Sequence, residues 1–122
     1  MKLLLRWSLE PIELARKIVN VLEDKLAENI LILDISEVSD FTDCFVIATA
    51  PSPRLLRSLI KAIDEEIKLE TGYNPIVEGA NNEDWVILDY AYVVVHLFSE
   101  DARSYYNIED LWQSGKIVLS LQ

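Results

Sequence analysis

Two apolar runs, Trp85–Tyr90 and Tyr92–Phe98, are separated only by Ala91, and this spacing constrains the fold more than any other feature. So short a connection predicts an antiparallel hairpin. Successive side chains in a strand take opposite faces. On the first run Val86, Leu88 and Tyr90 share one face, and Trp85, Ile87 and Asp89 share the other. On the second, Tyr92, Val94, His96 and Phe98 oppose Val93, Val95 and Leu97. Both faces are apolar, so the sheet that holds this hairpin needs cover on both sides.

The remaining segments supply that cover. Leu14, Ile18, Leu22 and Leu26, with Ala15 and Val19 beside them, predict an amphipathic helix over Leu9–Glu28, capped by Ser8 and tolerant of Pro11 in its first turn. Ile30–Ile35 and Cys44–Ala50 read as buried strands, joined by the polar loop 38–43 with Phe41 as its one aromatic anchor. Leu55, Leu56, Leu59, Ile60, Ile63 and Ile67 form one stripe over Pro53–Thr71, between a Ser52 cap and Gly72 at the left-handed C-cap position. Ile76-Val77 is a short strand, Ser99 caps a helix running through Tyr106, and Asn107 caps a turn to Trp112. The tail Lys116–Gln122 is either an edge strand or disordered.

The order α-β-β-α-β-β-β-α predicts one α/β domain over 1–122, with a mixed five-stranded sheet, flanking helices, a core spanning about 9–112 and a tail at 113–122. Two main helices do not cover both faces of five strands. Either the short C-terminal helices cover the second face, or part of it docks on another molecule.

Composition narrows the classes of function. A chain of 122 residues fits one domain, and 51% apolar content argues against a disordered tail. A net charge of −10 with scattered Lys and Arg argues against direct binding to DNA or RNA phosphates and favours a basic protein partner. One Cys makes no internal disulfide. The start, Met1 to Leu5, imitates a signal peptide until Arg6, Glu10 and Pro11 interrupt it. No stretch reaches the ~18 apolar residues of a membrane span. The expectation is a soluble, cytoplasmic protein.

Three features invite a chemical reading. Asp34, Asp43 and Asp89 stand at predicted strand ends, a donor set suited to a divalent metal in phosphoryl transfer. The competing reading is that such residues cap turns. Gly72, Gly79 and Gly115 are isolated, so no glycine-rich phosphate cradle accompanies the acids. Cys44 and His96, each the sole member of its type, are a dyad only if the thiol is exposed. Cys44 lies in the run Cys44-Phe45-Val46-Ile47, where a small buried hydrophobe fits better. Catalytic residues, a metal and a cofactor are therefore not expected. The third feature is aromatic: Trp85, Tyr90, Tyr92, Phe98, Tyr105, Tyr106 and Trp112 are seven of eleven aromatics in the chain. Interface cores favour such residues, and as a group they point to an interface.

The stretches Asp40-Phe41-Thr42-Asp43-Cys44-Phe45-Val46-Ile47-Ala48-Thr49, Glu78-Gly79, Trp85-Val86-Ile87-Leu88-Asp89-Tyr90, Val93-Val94-Val95-His96, Tyr105-Tyr106 and Leu111-Trp112 resemble, in this order and spacing, the Iojap or ribosomal silencing factor family. The resemblance covers roughly Leu9 to Trp112. It implies a nucleotidyltransferase-like fold without catalytic activity. It also implies binding to the large ribosomal subunit through that subunit's protein fourteen, at the face that meets the small subunit. Translation would then be repressed when nutrients are short, and free members would form homodimers. Carried over, its partner-binding residues are Trp85, Leu88, Asp89, His96, Tyr105 and Trp112. The competing function is a metal-dependent nucleotidyltransferase using Asp34, Asp43 and Asp89. The chain departs from the family pattern at Ala91-Tyr92, where Gly-Asp is usual, and at Thr49-Ala50-Pro51-Ser52-Pro53, where Thr-Gly-x-Ser is usual. If the hairpin turn needs φ > 0, Ala91 costs about 1 kcal/mol there.

Overall fold

A computed structural model describes residues 9–122, so Ser8, the expected cap of the first helix, lies outside the described residues. In chain order the elements are α1 (Pro11–Asp24), β1 (Glu28–Asp34), β2 (Cys44–Thr49), α2 (Pro53–Thr71), β3 (Ile76–Glu78), β4 (Trp85–Asp89), β5 (Val93–Phe98), α3 (Glu100–Tyr106), α4 (Ile108–Leu111) and β6 (Lys116–Leu121). The sheet order is β3-β4-β5-β2-β1-β6. Strands β2 and β5 run parallel and every other neighbouring pair is antiparallel. The expected hairpin is β4–β5, with Ile87 opposite His96.

The sheet has six strands, not five. The tail from Lys116 pairs antiparallel with β1, and Val118, Leu119 and Leu121 pack on the core. The buried centre of β1 requires this, because its N–H and C=O groups on the side away from β2 would otherwise lack partners. Gly115 makes the approach possible: a Cβ there would stand 2.8 Å from Ile35 Cγ2 and 3.0 Å from the Asp34 carbonyl oxygen.

Helix α2 matches its predicted bounds. The Ser52 hydroxyl accepts from the Leu55 N–H at 3.1 Å, and Gly72 takes φ 80°. The Pro51–Pro53 departure is absorbed because Pro53 occupies the first helical position, which has no N–H bond to lose. Helix α1 is shorter than the apolar stripe predicts. A capping box between Glu10 and Glu13 starts it. A left-handed Leu26 (φ 68°) then turns the chain toward β1, and a left-handed Asn29 (φ 48°) lies in the irregularity of the β1–β2 register between Glu28 and Leu31. Leu26, the last member of the stripe, is exposed.

Helices α1 and α2 cover one face. Ile18, Leu22, Leu59, Ile63 and Ile67 pack there with Ile32, Val46, Leu88, Val95 and Leu97 of the strands. The other face carries Leu31, Leu33, Phe45, Ile47, Val94 and Phe98, and only Ala102 of α3 and Ile108 of α4 are buried against it. The short C-terminal helices therefore cover this second face in part.

Candidate functional site

One side chain secures that partial cover. The Arg103 guanidinium on α3 is only 14% exposed and pairs with Glu109 of α4, with Nη2–Oε2 at 2.9 Å. Its Nε donates to the same carboxylate at 3.0 and 3.1 Å. Nη1 donates to the Asn29 carbonyl at 2.8 Å and to the Thr49 hydroxyl at 2.9 Å. The two short helices are thus tied to each other and to β1 and β2.

The start of β4 is fixed locally. Asn82 Oδ1 accepts from the N–H groups of Asp84 and Trp85 at 2.7 and 3.3 Å. The Ser99 hydroxyl donates to Asp84 at 2.9 Å. Trp85 therefore stands on the second face at a set height, half-buried, opposite Phe98.

From Trp85 a continuous aromatic row crosses the face. Tyr105 and Tyr106 are 5.0 Å apart between ring centroids, Tyr106 and Trp85 4.6 Å, and Trp85 and His96 5.9 Å. The row continues through His96–Phe45 at 4.6 Å, Phe45–Trp112 at 5.6 Å and Trp112–Phe41 at 5.8 Å. Its ends, Tyr105 and Phe41, are exposed, Trp85 and Trp112 are half-buried, and His96 in the middle is 6% exposed. Burial pushes the His96 imidazole down to about 4, against an opposing pull from the Asp89 carboxylate. An array of large rings with open ends offers broad apolar contact area.

Of the six residues carried over from the resemblance, Trp85, His96, Tyr105 and Trp112 fall in this row, and Asp89 lies on the same face. Leu88 does not. It is fully buried on the opposite face among the α1 and α2 contacts, because the two-residue period of β4 turns it away from Trp85. Tyr90 and Tyr92 also leave the expected aromatic group and line a hollow near the start of α1 with Leu9, Pro11 and Tyr73. Phe41, Phe45 and Tyr106 belong to the site and were not singled out as contacts. The signal for Phe41 was its isolation in a polar loop.

Two of the three strand-end acids, Asp34 and Asp89, are engaged in local turns. Asp34 Oδ1 accepts from the Ser36 N–H at 3.0 Å and its hydroxyl at 2.7 Å, which holds the carboxyl below its ordinary value. Asp89 Oδ1 accepts from the Ala91 N–H at 2.7 Å. Both acids cap turns, and by strand alternation they lie on opposite faces. Among the described residues no three His, Cys, Asp or Glu groups converge on a common metal position. Cys44 is buried on the helix-covered face, away from His96, with its thiol pushed up to about 11 by burial. Nor is any described helix long and apolar enough to cross a membrane.

Known proteins share this architecture. Residues 8–121 match the family model described as ribosomal silencing factor during starvation. The ribosomal silencing factor of Bacillus subtilis is 42% identical over 94 residues, covering 74% of this chain and 76% of that protein. That of Zymomonas mobilis is 33% identical over 108 residues, covering 88% and 81%. A crystal structure from Chromobacterium violaceum superposes with a TM-score of 0.81 at 30% identity, over 91% of this chain and 94% of the other. On the family-model match over residues 8–121, these relatives and the superposed fold, the chain belongs to the ribosomal silencing factor family.

Proposed function

We propose that this chain is a non-enzymatic translation repressor of the cytoplasm. It docks through the second face on the large ribosomal subunit, at that subunit's protein fourteen, and blocks joining of the small subunit when nutrients are limiting. The observation that carries this reading is the aromatic row: rings in contact, open at both ends, on the one sheet face that the helices leave partly bare. Such surfaces are poor in water and rich in interface anchors. Trp85, Tyr105 and Trp112 are the contacts within it, and Asp89 is a charged neighbour at the rim. The net charge of −10 suits a basic patch on the partner. The nucleotidyltransferase-like fold implied by the resemblance is read as one without catalytic activity, and the free protein is read as a homodimer.

An order-of-addition joining assay with purified subunits tests the mechanism, and co-sedimentation tests the contact. Added before the small subunit, the protein should block joining. Added to joined ribosomes, it should leave them intact, because their interface hides its site. Trp85→Ala should weaken large-subunit binding roughly 30-fold, the value of a ~2 kcal/mol anchor, with little loss of folding stability. If denaturation instead shows a loss of ~3–5 kcal/mol while the folded fraction binds normally, Trp85 is core. Rapid splitting of joined ribosomes by the protein alone would overturn steric occlusion.

A further inference from the structure

The centre of the aromatic row contains one polar bond. Trp85 Nε1–H donates to His96 Nδ1 at 3.2 Å. An indole nitrogen only donates, so Nδ1 is the acceptor and carries no proton. The proton of the neutral ring is then on Nε2. That nitrogen is buried and has no hydrogen-bond partner among the described residues. Its ring packs edge-on to Phe45 at 4.6 Å and parallel to Phe98 at 6.2 Å. A phenyl ring in the same place, though slightly larger, would bury no unpaired donor, which costs roughly 1–3 kcal/mol. Packing therefore gives no reason for histidine here. The bond to Trp85 does. Trp85 is half-buried, and its ring neighbours Phe98 at 5.0 Å and Tyr106 at 4.6 Å are tilted to it and offer its N–H no acceptor in the ring plane. The bond to Nδ1 is the one hydrogen bond the indole makes among the described residues, and it ties the Nε1 edge inward.

Resting on the docking reading above, we infer that His96 is the positioning residue of this face: it makes no contact with the large subunit and acts by holding the Trp85 indole in its docking orientation through the Nε1–H···Nδ1 bond. The indole's only polar group then points into the protein, and the partner meets the ring surface alone. Suitable partner groups are aliphatic or cationic side chains, which stack on an indole face without needing an acceptor or a donor from it.

Three variants test this: His96→Phe removes the acceptor and keeps a ring, His96→Asn keeps an acceptor near the Nδ1 position, and Trp85→Phe removes the donor. The readouts are the Trp85 indole N–H resonance of the ¹⁵N-labelled protein, the affinity for purified large subunits, and the urea midpoint. His96→Phe should shift the resonance and speed its exchange with solvent. It should weaken binding on the order of fivefold to tenfold, the value of one hydrogen bond, and leave the midpoint unchanged or raised. His96→Asn should restore both the resonance and the affinity. In the Trp85→Phe background, His96→Phe should cost no further affinity, since the two residues act as one. Additive losses in that cycle would overturn the inference by giving His96 a contact of its own. So would an indole resonance indifferent to His96→Phe. Failure of the docking reading looks different: Trp85→Ala would leave subunit binding unchanged although the parent resonance shows the indole held.

Discussion

His96 joins the mechanics of the face to its response to acid. Its proton-free Nδ1 accepts from Trp85, and burial holds the ring near a pKa of about 4 against an ordinary 6.5. The folded state therefore favours the neutral ring. This contribution is fully present above pH 6.5 and is lost as the pH falls toward 4, because in that window the unfolded chain binds the extra proton. Between pH 7 and pH 5 it amounts to about 2 kcal/mol. Urea denaturation of the parent should show that loss, and His96→Phe should flatten it. Asp34 does not confuse the window, since its lowered carboxyl withdraws its contribution only below the ordinary carboxylate range. At this scale the sequence was partly legible. Strand alternation alone puts Trp85, Asp89 and His96 on one face and sends Leu88 to the other. The motif that carries the resemblance contains Leu88, but the period of the strand excludes it from the face of Trp85. Burial along the shared face was not legible, because it depends on where α3 and α4 settle.

Elements with explicit end signals matched their predicted bounds, and elements without them did not. Helix α2 has Ser52, Pro53 and Gly72 at its ends, and those residues fix it. Helix α1 has no such stop, so the periodicity of Leu26 ran past the true end at Asp24. Strand β6 is a short segment at the edge of the described sheet, and its register is set by β1 rather than by any pattern of its own. The hairpin between β4 and β5 was legible from spacing, and its turn carries the strain expected of it. Ala91 takes φ 73° and is exposed. Ala91→Gly should raise stability by about 1 kcal/mol, because glycine enters that region without a Cβ clash. Chemical denaturation checks this. A loss of stability would show that the Ala91 methyl contributes more by restricting the unfolded chain than it costs in the turn.

For the whole molecule, one sheet has two unlike faces: α1 and α2 bury one, and α3 and α4 cover the other in part, the face proposed above for docking. The net charge of −10 then acts at long range. An acidic protein approaching a basic patch gains association rate from steering, and salt screens this with a Debye length of ~8 Å near 0.15 M. Raising the salt should slow association with the large subunit much more than it speeds dissociation, since desolvated rings are insensitive to screening. Stopped-flow binding at two salt concentrations reads both rates, and an equal effect on each would sink the steering account. The pairing of β6 with β1 adds a condition on synthesis. Strand β1 is made early, but its outer neighbour is made after every other strand. Until residues 116–121 have left the exit tunnel, every nascent copy has β1 bare along that edge, and the sheet that supports the aromatic row is incomplete. A chain in which that last described pairing has not yet formed thus lacks the finished sheet on which the row of rings rests.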